Sequence, residues 1–225
     1  MPARQRASRF LRLGTTALLF GSALVGVPAS AHSFADLDSS SLLTANTQDD
    51  TGHVPYTYRA PGADLTHYRE VIVDDVVVYG GSDAEFGSLS TSERQELASD
   101  LDTAIRTALQ SNYVTATAPS ASALRLHVTL LGASSSDPVL GLMSQLQPVG
   151  AAAGAHDQAR DKKKRTLGSV TYAVEVYDSS TQHLLRSFIS YEYPSAEDVR
   201  ASVGKLNSAK AGIKKGAEAL PAQIL

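Results

Sequence analysis

The stretch VTYAVEVYDSSTQHLLRSF, residues 170–188, contains two runs of alternating apolar side chains on either side of a short polar segment. A period of two is typical of β-strands, and Asp and Ser favour turns because their short side chains bond nearby backbone N–H groups. We therefore predict a β-hairpin in which Asp178 opens a loop over residues 179–182. In that register Glu175 faces Arg186 across the two strands and forms an ion pair with it.

The hairpin loop also brings Asp178, Ser179 and His183 close together in sequence, and these are the residue types of a Ser–His–Asp triad. A triad needs each member within hydrogen-bond reach of the next, in a defined role. Residues crowded on a hairpin tip seldom meet that requirement, and the chain contains no G-x-S-x-G motif. Because the turn explains every polar residue, we assign no catalytic residue.

Two more strands and two helices are predicted from the rest of the pattern. The segment 69–81 is rich in β-branched residues and ends in a Gly-Gly pair, whereas 123–132 alternates apolar side chains with polar ones such as His127. A capping box at 90–93 opens an amphipathic helix, and a second apolar stripe follows Pro194. The order arm–β–α–β–loop–β–β–α predicts an α+β fold, a single antiparallel or mixed four-stranded sheet with two helices packed on it.

Small side chains recur every four positions along the second helix, at Gly204, Ser208, Gly212 and Gly216. Glycine costs about 1 kcal/mol at a helical position relative to alanine, so close packing must offset that cost. We expect this row to let the helix lie close against its neighbour.

Two adjacent carboxylates, Asp74 and Asp75, interrupt the apolar residues of segment 69–81. Neighbours on a strand point to opposite faces, so they cannot easily share a metal ion, and a kink or bulge explains them better. None of the six histidines shows an H-x-H or H-x-x-x-H spacing, and the chain has no cysteine. We therefore expect neither a metal nor a cofactor.

Residues 1–31 have the pattern of a secretory signal peptide. Four arginines and no acidic residue precede an apolar run of about 13 residues, and Ala29 and Ala31 supply small residues at the cleavage site. That run is shorter than the roughly 20 residues of a membrane-spanning helix, so we expect no stable transmembrane anchor after cleavage.

After cleavage the chain divides into an extended Ser/Thr/Asp-rich arm (32–58) and a single α+β domain (59–225) with a long loop at 133–166. Cleavage also removes four of the 20 basic residues and none of the 23 acidic ones, which leaves an acidic protein. An acidic domain is a poor candidate for binding phosphate backbones, so we expect no nucleic-acid partner.

An uncharged segment lies inside this loop, at 138–155, and its glycines and prolines preclude one regular helix. Two interpretations stay open. The segment covers the second helix as a flap, or it forms a contact surface for an envelope protein or a membrane-surface partner, with the basic run 160–165 attracted to anionic headgroups. The candidate contact residues are Val139, Leu140, Leu142, Met143 and Leu146.

A set of turn and strand residues is shared with a known family. In the first half of the chain they are Phe34, Leu37, Tyr58, Pro61, Gly62, Ala63, Asp64, Leu65, Tyr68 and Val71. Around the hairpin they are Gly168, Glu175, Asp178, Ser179 and Thr181. In these residues the chain resembles the domain of unknown function 3313 family over about residues 34–193. The resemblance implies an exported bacterial protein, often a lipoprotein, with an α/β layer and no established activity.

Two departures from the family pattern matter. The chain has no lipobox cysteine, so the lipid anchor of many family members is not expected here. Gln182 stands where the family's hairpin turn has a glycine, which bears on the backbone geometry of the turn.

Together these features predict a periplasmic or secreted protein that acts by binding, in the assembly or maintenance of the cell envelope. The alternative is a hydrolase of an envelope component, with Ser, His and Asp brought together from distant positions. A buried Ser–His hydrogen bond in a cleft favours the enzyme, and a large exposed apolar patch favours the binding protein.

We predict that the exported protein begins at His32, because the small residues before it match the specificity of signal peptidase. Release of the protein by osmotic shock, followed by N-terminal sequencing, measures the cleavage position. An exported chain that still begins with Met1 contradicts the prediction.

Overall fold

A computed structural model describes residues 34–135, 168–194 and 204–225. Within these ranges the chain forms eight strands and two helices. The strands are β1 (Thr44–Ala45), β2 (Tyr56–Arg59), β3 (Glu70–Val73), β4 (Val77–Val78), β5 (Val114–Thr115), β6 (Ala123–Ser134), β7 (Ser169–Asp178) and β8 (Leu184–Glu192). The helices are α1 (Thr91–Leu109), between β4 and β5, and α2 (Asn207–Ile224), after β8.

All eight strands belong to one mixed sheet, in the order β1-β2-β8-β7-β6-β3-β5, and β4 also pairs with β6. The long strands β6, β7 and β8 form an antiparallel centre. β3 and β4 run parallel to β6, because α1 carries the chain back along the sheet before β6 begins. The short strands β1 and β2 extend the sheet beyond β8 in antiparallel register.

The predicted four-stranded sheet is wrong, although the α+β class stands. Its four strands are present as β3 with β4, β6, β7 and β8, but the sheet has eight strands. The additional strands β1, β2 and β5 are only two to four residues long. Such short strands have too few residues to show the alternation of side chains by which a strand is identified in a sequence.

A kink separates β3 from β4, as predicted from the two adjacent carboxylates. The backbone N–H of Asp74 still donates to the carbonyl of Leu126 on β6, at 3.0 Å, and strand pairing resumes at Val77. Asp75 is exposed to solvent. The kink therefore turns Asp74 toward β6 and leaves its neighbour outside.

One face of the sheet packs against both helices and contains the main core. α1 begins with the predicted capping box. The backbone N–H of Glu93 donates to the Ser90 side chain, and the backbone N–H of Ser90 donates to the Glu93 side chain. The apolar stripe of α1 packs with alternate residues of β6. The buried side chains of these two elements include Leu97, Leu101, Ile105, Leu109, Leu124, Leu126, Val128 and Leu130.

Glycines let α2 lie close to the sheet. A Cβ atom on Gly216 would lie 2.6 Å from Cγ of Glu192 and would also collide with the hydroxyl of Tyr172. A Cβ atom on Gly212 would lie 3.1 Å from the carbonyl oxygen of Glu192. Ser208, one position earlier in the row of small residues, is fully buried. The predicted close packing is confirmed for the part of the row that lies in α2.

The opposite face of the sheet is covered in part by the arm. Phe34, Leu37 and Leu43 are buried there in a cluster with apolar side chains of β7 and β8. The Phe34 ring lies edge-on to the ring of Tyr79, with centroids 5.5 Å apart. Beside this cluster the sheet face stays open between the arm and β4.

The predicted hairpin between β7 and β8 is confirmed. Asp178 and His183 flank its loop, and the backbone N–H of Asp178 donates to the carbonyl of His183 at 3.0 Å. Gln182 has a φ of 58°, in the left-handed region that favours glycine. The turn therefore keeps the glycine-like conformation of the family pattern although its residue is glutamine.

The predicted ion pair between Glu175 and Arg186 is wrong. A bulge at Leu185 shifts the register by one residue, so Arg186 faces Val176 and Glu175 faces Ser187. A slip of one residue moves a side chain to the other face of a sheet. Arg186 therefore lies on the helix side, Glu175 lies on the arm side, and the two side chains cannot meet.

The candidate contact residues Val139, Leu140, Leu142, Met143 and Leu146 lie outside the described residues, as does Ala31. In the parts of the chain that the structure describes, neither helix combines the length and the apolar composition that a membrane span requires.

We predict that Gly216→Ala lowers the free energy of unfolding by about 1–3 kcal/mol, because the new methyl group overpacks the contact between α2 and the sheet. Alanine is the better helix former by about 1 kcal/mol, so helix propensity alone predicts the opposite sign. Gly80→Ala is the control, since a Cβ atom at Gly80 meets no atom within 4 Å. Denaturant unfolding measures both variants, and equal stability of the two contradicts the close packing.

Candidate functional site

A cleft of about 450 Å³ opens on the arm side of the sheet. β6 and β7 form its floor, the kinked segment 74–80 forms one wall, and residues 36–38 of the arm form another. Five carboxylates and one histidine are among the lining residues. The carboxylates are those of Asp36, Asp38, Asp74, Asp75 and Glu175. The cleft is therefore acidic, although Asp74 and Asp75 are paired with Arg125 and Arg106.

Two residues that face each other across antiparallel strands form the floor. His127 of β6 pairs in register with Glu175 of β7. On β6 the alternate apolar residues point toward the helices, so the residues between them, including His127, point into the cleft. Glu175 is only 5% exposed, whereas His127 is partly exposed.

A chain of close polar contacts holds His127 in place. Its Nε2 lies 2.7 Å from Oδ2 of Asp74. Asp74 accepts from Arg125 through both carboxylate oxygens, with Nε–Oδ2 and Nη2–Oδ1 distances of 2.8 Å each. This contact orients the Nε2 edge of the His127 ring toward Asp74.

The arm closes the cleft through a contact with Glu175. The backbone N–H of Ser39 donates to Oε1 of Glu175 at 2.7 Å, and the hydroxyl of Ser187 donates to the hydroxyl of Ser39 at 2.8 Å. Next to Ser39, Asp38 accepts from the hydroxyl of Tyr177 through Oδ2 at 3.4 Å. Burial, together with the charges of Glu175 and Asp38, raises the pKa of Tyr177, so its phenol remains a donor at neutral pH.

Asp38, His127 and Glu175 meet at the centre of this arrangement. One nitrogen of the histidine and one oxygen of each carboxylate lie within 4.8 Å of one another. Oε2 of Glu175 has no hydrogen-bond or ion-pair partner among the described residues. Imidazole nitrogens and carboxylate oxygens are ligands for divalent metals, so this group has the chemistry to hold a cation.

Of the hairpin residues singled out in the sequence, only Glu175 lies in the cleft. Asp178 caps the loop, since its Oδ1 accepts from the backbone N–H groups of Ser180 and Thr181 and its Oδ2 accepts from the Tyr68 hydroxyl. Burial raises the pKa of Asp178, but the hydrogen bonds lower it more, so this pKa lies below its ordinary value. Asp178 is therefore a structural residue of the turn.

The serine and the histidine of the loop have separate roles. The Ser179 hydroxyl donates to the backbone carbonyl of Ser120 at 3.0 Å and accepts from the backbone N–H of the same residue at 3.1 Å. His183 is exposed at the tip. Asp178, Ser179 and His183 therefore do not form a Ser–His–Asp triad.

The sequence pattern alone assigned neither Asp38 nor Asp74 nor His127 to a site. The sequence did contain signals for His127 and Asp74. The alternation of β6 places His127 on the helix-free face, and the kink places Asp74 beside β6. Nothing in the pattern of residues 32–58 indicates that the arm returns to β7, so Asp38 could not have been found from the sequence.

A second polar cluster lies between β8 and α2. Glu192 is 2% exposed; its Oε1 accepts from the Ser190 hydroxyl at 2.9 Å, and its Oε2 lies 3.1 Å from Nδ1 of His53. Nζ of Lys215 on α2 lies 3.5 Å from Nε2 of His53, and the imidazole stacks on the ring of Tyr193. The hydrogen bond to Glu192 raises the pKa of His53, while burial and the charge of Lys215 oppose the rise.

A family model described as "Protein of unknown function (DUF3313)" matches residues 34–220. The match confirms the family resemblance that the turn and strand residues indicated. No curated protein sequence matches the chain.

Several solved structures are similar to the chain at low identity. The PelC dodecamer from Paraburkholderia phytofirmans has 12% identity and a TM-score of 0.37, over 72% of this chain and 96% of that chain. A protein of family DUF330 from Xanthomonas campestris has 10% identity and a TM-score of 0.36, over 74% and 89%. A DUF4136 family protein from Bacteroides thetaiotaomicron has 9% identity and a TM-score of 0.34, over 76% and 96%. These scores are too low to carry an argument about function.

We predict that the free energy of unfolding falls as the pH rises from about 6.5 through the folded-state pKa of His53. Glu192 raises that pKa above the unfolded value, so the stabilisation is complete below the unfolded pKa and is lost as the folded imidazole deprotonates. His53→Gln removes this part of the pH dependence. His183→Gln, at the exposed loop, is the control and keeps the wild-type profile. Denaturant unfolding across roughly pH 5–9 measures the profiles, and parallel curves for His53→Gln and wild type contradict the prediction.

Proposed function

This chain belongs to the DUF3313 family, and from that premise we propose that it is an exported, periplasmic or secreted binding protein, non-catalytic, that serves the assembly or maintenance of the cell envelope. The signal-peptide pattern of residues 1–31 supports export. The acidic cleft supports binding, and we propose that it receives a positively charged ligand or the positively charged group of an envelope partner.

Glu175 carries this proposal. It is a buried carboxylate, and the arginine expected to neutralise it, Arg186, lies on the other face of the sheet. Its hydrogen-bond donor is the uncharged N–H of Ser39, while Nε2 of His127 contacts Asp74. Burying a carboxylate without a paired charge costs several kcal/mol, and a cation bound in the cleft offsets that cost.

The floor of the cleft is built on rigid elements, which lowers the entropic cost of binding. Its floor consists of two central strands, and Arg125 holds Asp74 through two hydrogen bonds. Its volume of about 450 Å³ falls within the usual range for sites that bind small ligands. The cleft can therefore enclose a small cation or the end of a basic side chain.

The alternative function, hydrolysis of an envelope component, would use the same cleft. A histidine oriented by a carboxylate is one part of a catalytic triad. Within the described ranges, His127 contacts the carboxylate of Asp74 and has no hydroxyl partner. Because only an enzyme turns over its substrate, one set of measurements separates the two functions.

We predict that the mature protein binds a cation through the cleft in a manner that depends on Glu175. The probes are spermidine, L-argininamide and Zn²⁺, tested by calorimetry and by the shift in Tm at low ionic strength. At least one probe raises the Tm of the wild-type protein, and Glu175→Gln weakens its binding about tenfold or more, because one charge–charge contact is lost. Glu218→Gln, at an exposed glutamate of α2, is the matched control and binds as wild type does.

Three results would contradict parts of this proposal. If none of the probes binds, the cleft is not a cation site. Turnover of a chromogenic ester by the wild-type protein, lost in His127→Gln, favours the hydrolase. Recovery of the protein only inside the cytoplasm, and not in the osmotic-shock fraction, contradicts export.

A further inference from the structure

We propose that Asp38, His127 and Glu175 bind a divalent transition-metal ion, for which Zn²⁺ is the best match. The inference rests on the proposed function, because it names the ligand class of the same acidic cleft. From the sequence we expect no metal, since the histidines lack ligand spacing. Here the three candidate ligands come from the arm, β6 and β7, and only the fold brings them together.

The distances between the donor atoms fit one ion after a small adjustment. Bonds of about 2.0–2.2 Å to Zn²⁺ place the donors around the ion about 3–4 Å apart. The three donors lie within 4.8 Å of one another, so closure needs a shift of about 1 Å. Asp38 is exposed and belongs to the arm, so its side chain can turn inward without disturbing the sheet.

The buried carboxylate of Glu175 is an independent sign of a cationic ligand. The side chain is 95% buried, at 5% exposure, and lines the cleft. Its Oε1 is held by Ser39, while its Oε2 has no partner among the described residues. A metal ion would use that oxygen and would supply the missing positive charge at the same point.

The contact between His127 and Asp74 prepares the imidazole to bind a metal. Metal-binding histidines commonly donate their other ring N–H to a carboxylate, which fixes the tautomer and the orientation of the ring. Nε2 of His127 lies 2.7 Å from Oδ2 of Asp74, and donation of the Nε2 proton to that carboxylate in the metal-bound site would leave the Nδ1 lone pair for the ion. Arg125 fixes Asp74 in turn. Asp74 is therefore a positioning residue of the proposed site.

The donor set selects the class of metal. Two carboxylates and one neutral imidazole carry two negative charges, which a divalent ion neutralises. The imidazole favours Zn²⁺ and related transition metals over Mg²⁺ and Ca²⁺, which prefer oxygen ligands. Three protein ligands leave a fourth position toward the cleft, as in zinc sites that exchange water for another ligand.

Calorimetric titration of the protein with ZnCl₂ and MgCl₂ at neutral pH tests the site. The mature protein is prepared without an affinity tag and is freed of metal with a chelator. We expect one Zn²⁺ site in the wild-type protein and no Mg²⁺ binding at the same concentrations. Asp38→Asn, His127→Gln and Glu175→Gln each weaken Zn²⁺ binding about tenfold or more. His183→Gln and Glu218→Gln are matched controls at exposed positions and keep the wild-type affinity.

The positioning role of Asp74 has its own measurement. Asp74→Asn leaves all three ligands in place but weakens the orientation of His127, so Zn²⁺ affinity falls about 10–100-fold. In the Co²⁺-loaded protein the visible ligand-field bands change in Asp74→Asn and are lost in His127→Gln, whereas a purely structural role of Asp74 leaves the bands unchanged. Circular dichroism of the metal-free variants checks that they fold. If a variant at a buried ligand fails to fold, Asp38→Asn still tests the site, because Asp38 is exposed.

The outcomes separate this inference from the proposed function. Absence of Zn²⁺ binding, or binding that survives in every ligand variant that folds, overturns the metal site. If spermidine or L-argininamide still binds in a Glu175-dependent way, the proposed function stands without the metal. If Zn²⁺ binds as expected and the loaded protein also hydrolyses a chromogenic ester, the metal site stands and the non-catalytic function fails.

Discussion

The bulge at Leu185 in the β7–β8 ladder decides which charges meet and which stay apart. Side chains alternate between the two faces of a strand, so one extra residue exchanges the faces of every residue on one side of it. With the bulge, Arg186 lies on the helix side, where burial lowers the pKa of its guanidinium. Glu175 lies on the arm side, where an amide of the arm takes the place of the arginine. Without the bulge, Glu175 and Arg186 would face each other and form an ordinary ion pair.

The two faces of the sheet are covered in different ways, and the cleft results from that difference. On one face α2 approaches so closely that Gly216 has no room for a methyl group, and the packing is continuous. On the other face the arm covers only part of the sheet with Phe34, Leu37 and Leu43. The kink at Asp74 ends the pairing of β3 and leaves the uncovered part as an acidic cleft.

Two buried glutamates show how differently this fold treats similar charges. Glu192 has an internal partner, since it accepts from Ser190 and lies 3.1 Å from the imidazole of His53. In the cleft, the carboxylate of Asp74 is likewise neutralised by Arg125. Glu175 also lines the cleft but lacks a cationic partner in the described ranges. Because Glu175, unlike Glu192 and Asp74, has no such partner, we place a cation from outside the chain next to Glu175.

Local patterns determined much of the fold from the sequence alone. The hairpin, the capping box of α1, the apolar face of β6 and the kink at Asp74 each depend on periodicity or on turn residues within a few positions. Contacts between distant segments decided the rest. The added strands β1, β2 and β5 carry no periodic signal, and a slip of one residue at Leu185 changes no pattern that the sequence displays. The meeting of Asp38, His127 and Glu175 requires the return of the arm to the sheet and the register of β6 with β7, so only the tertiary structure could reveal it.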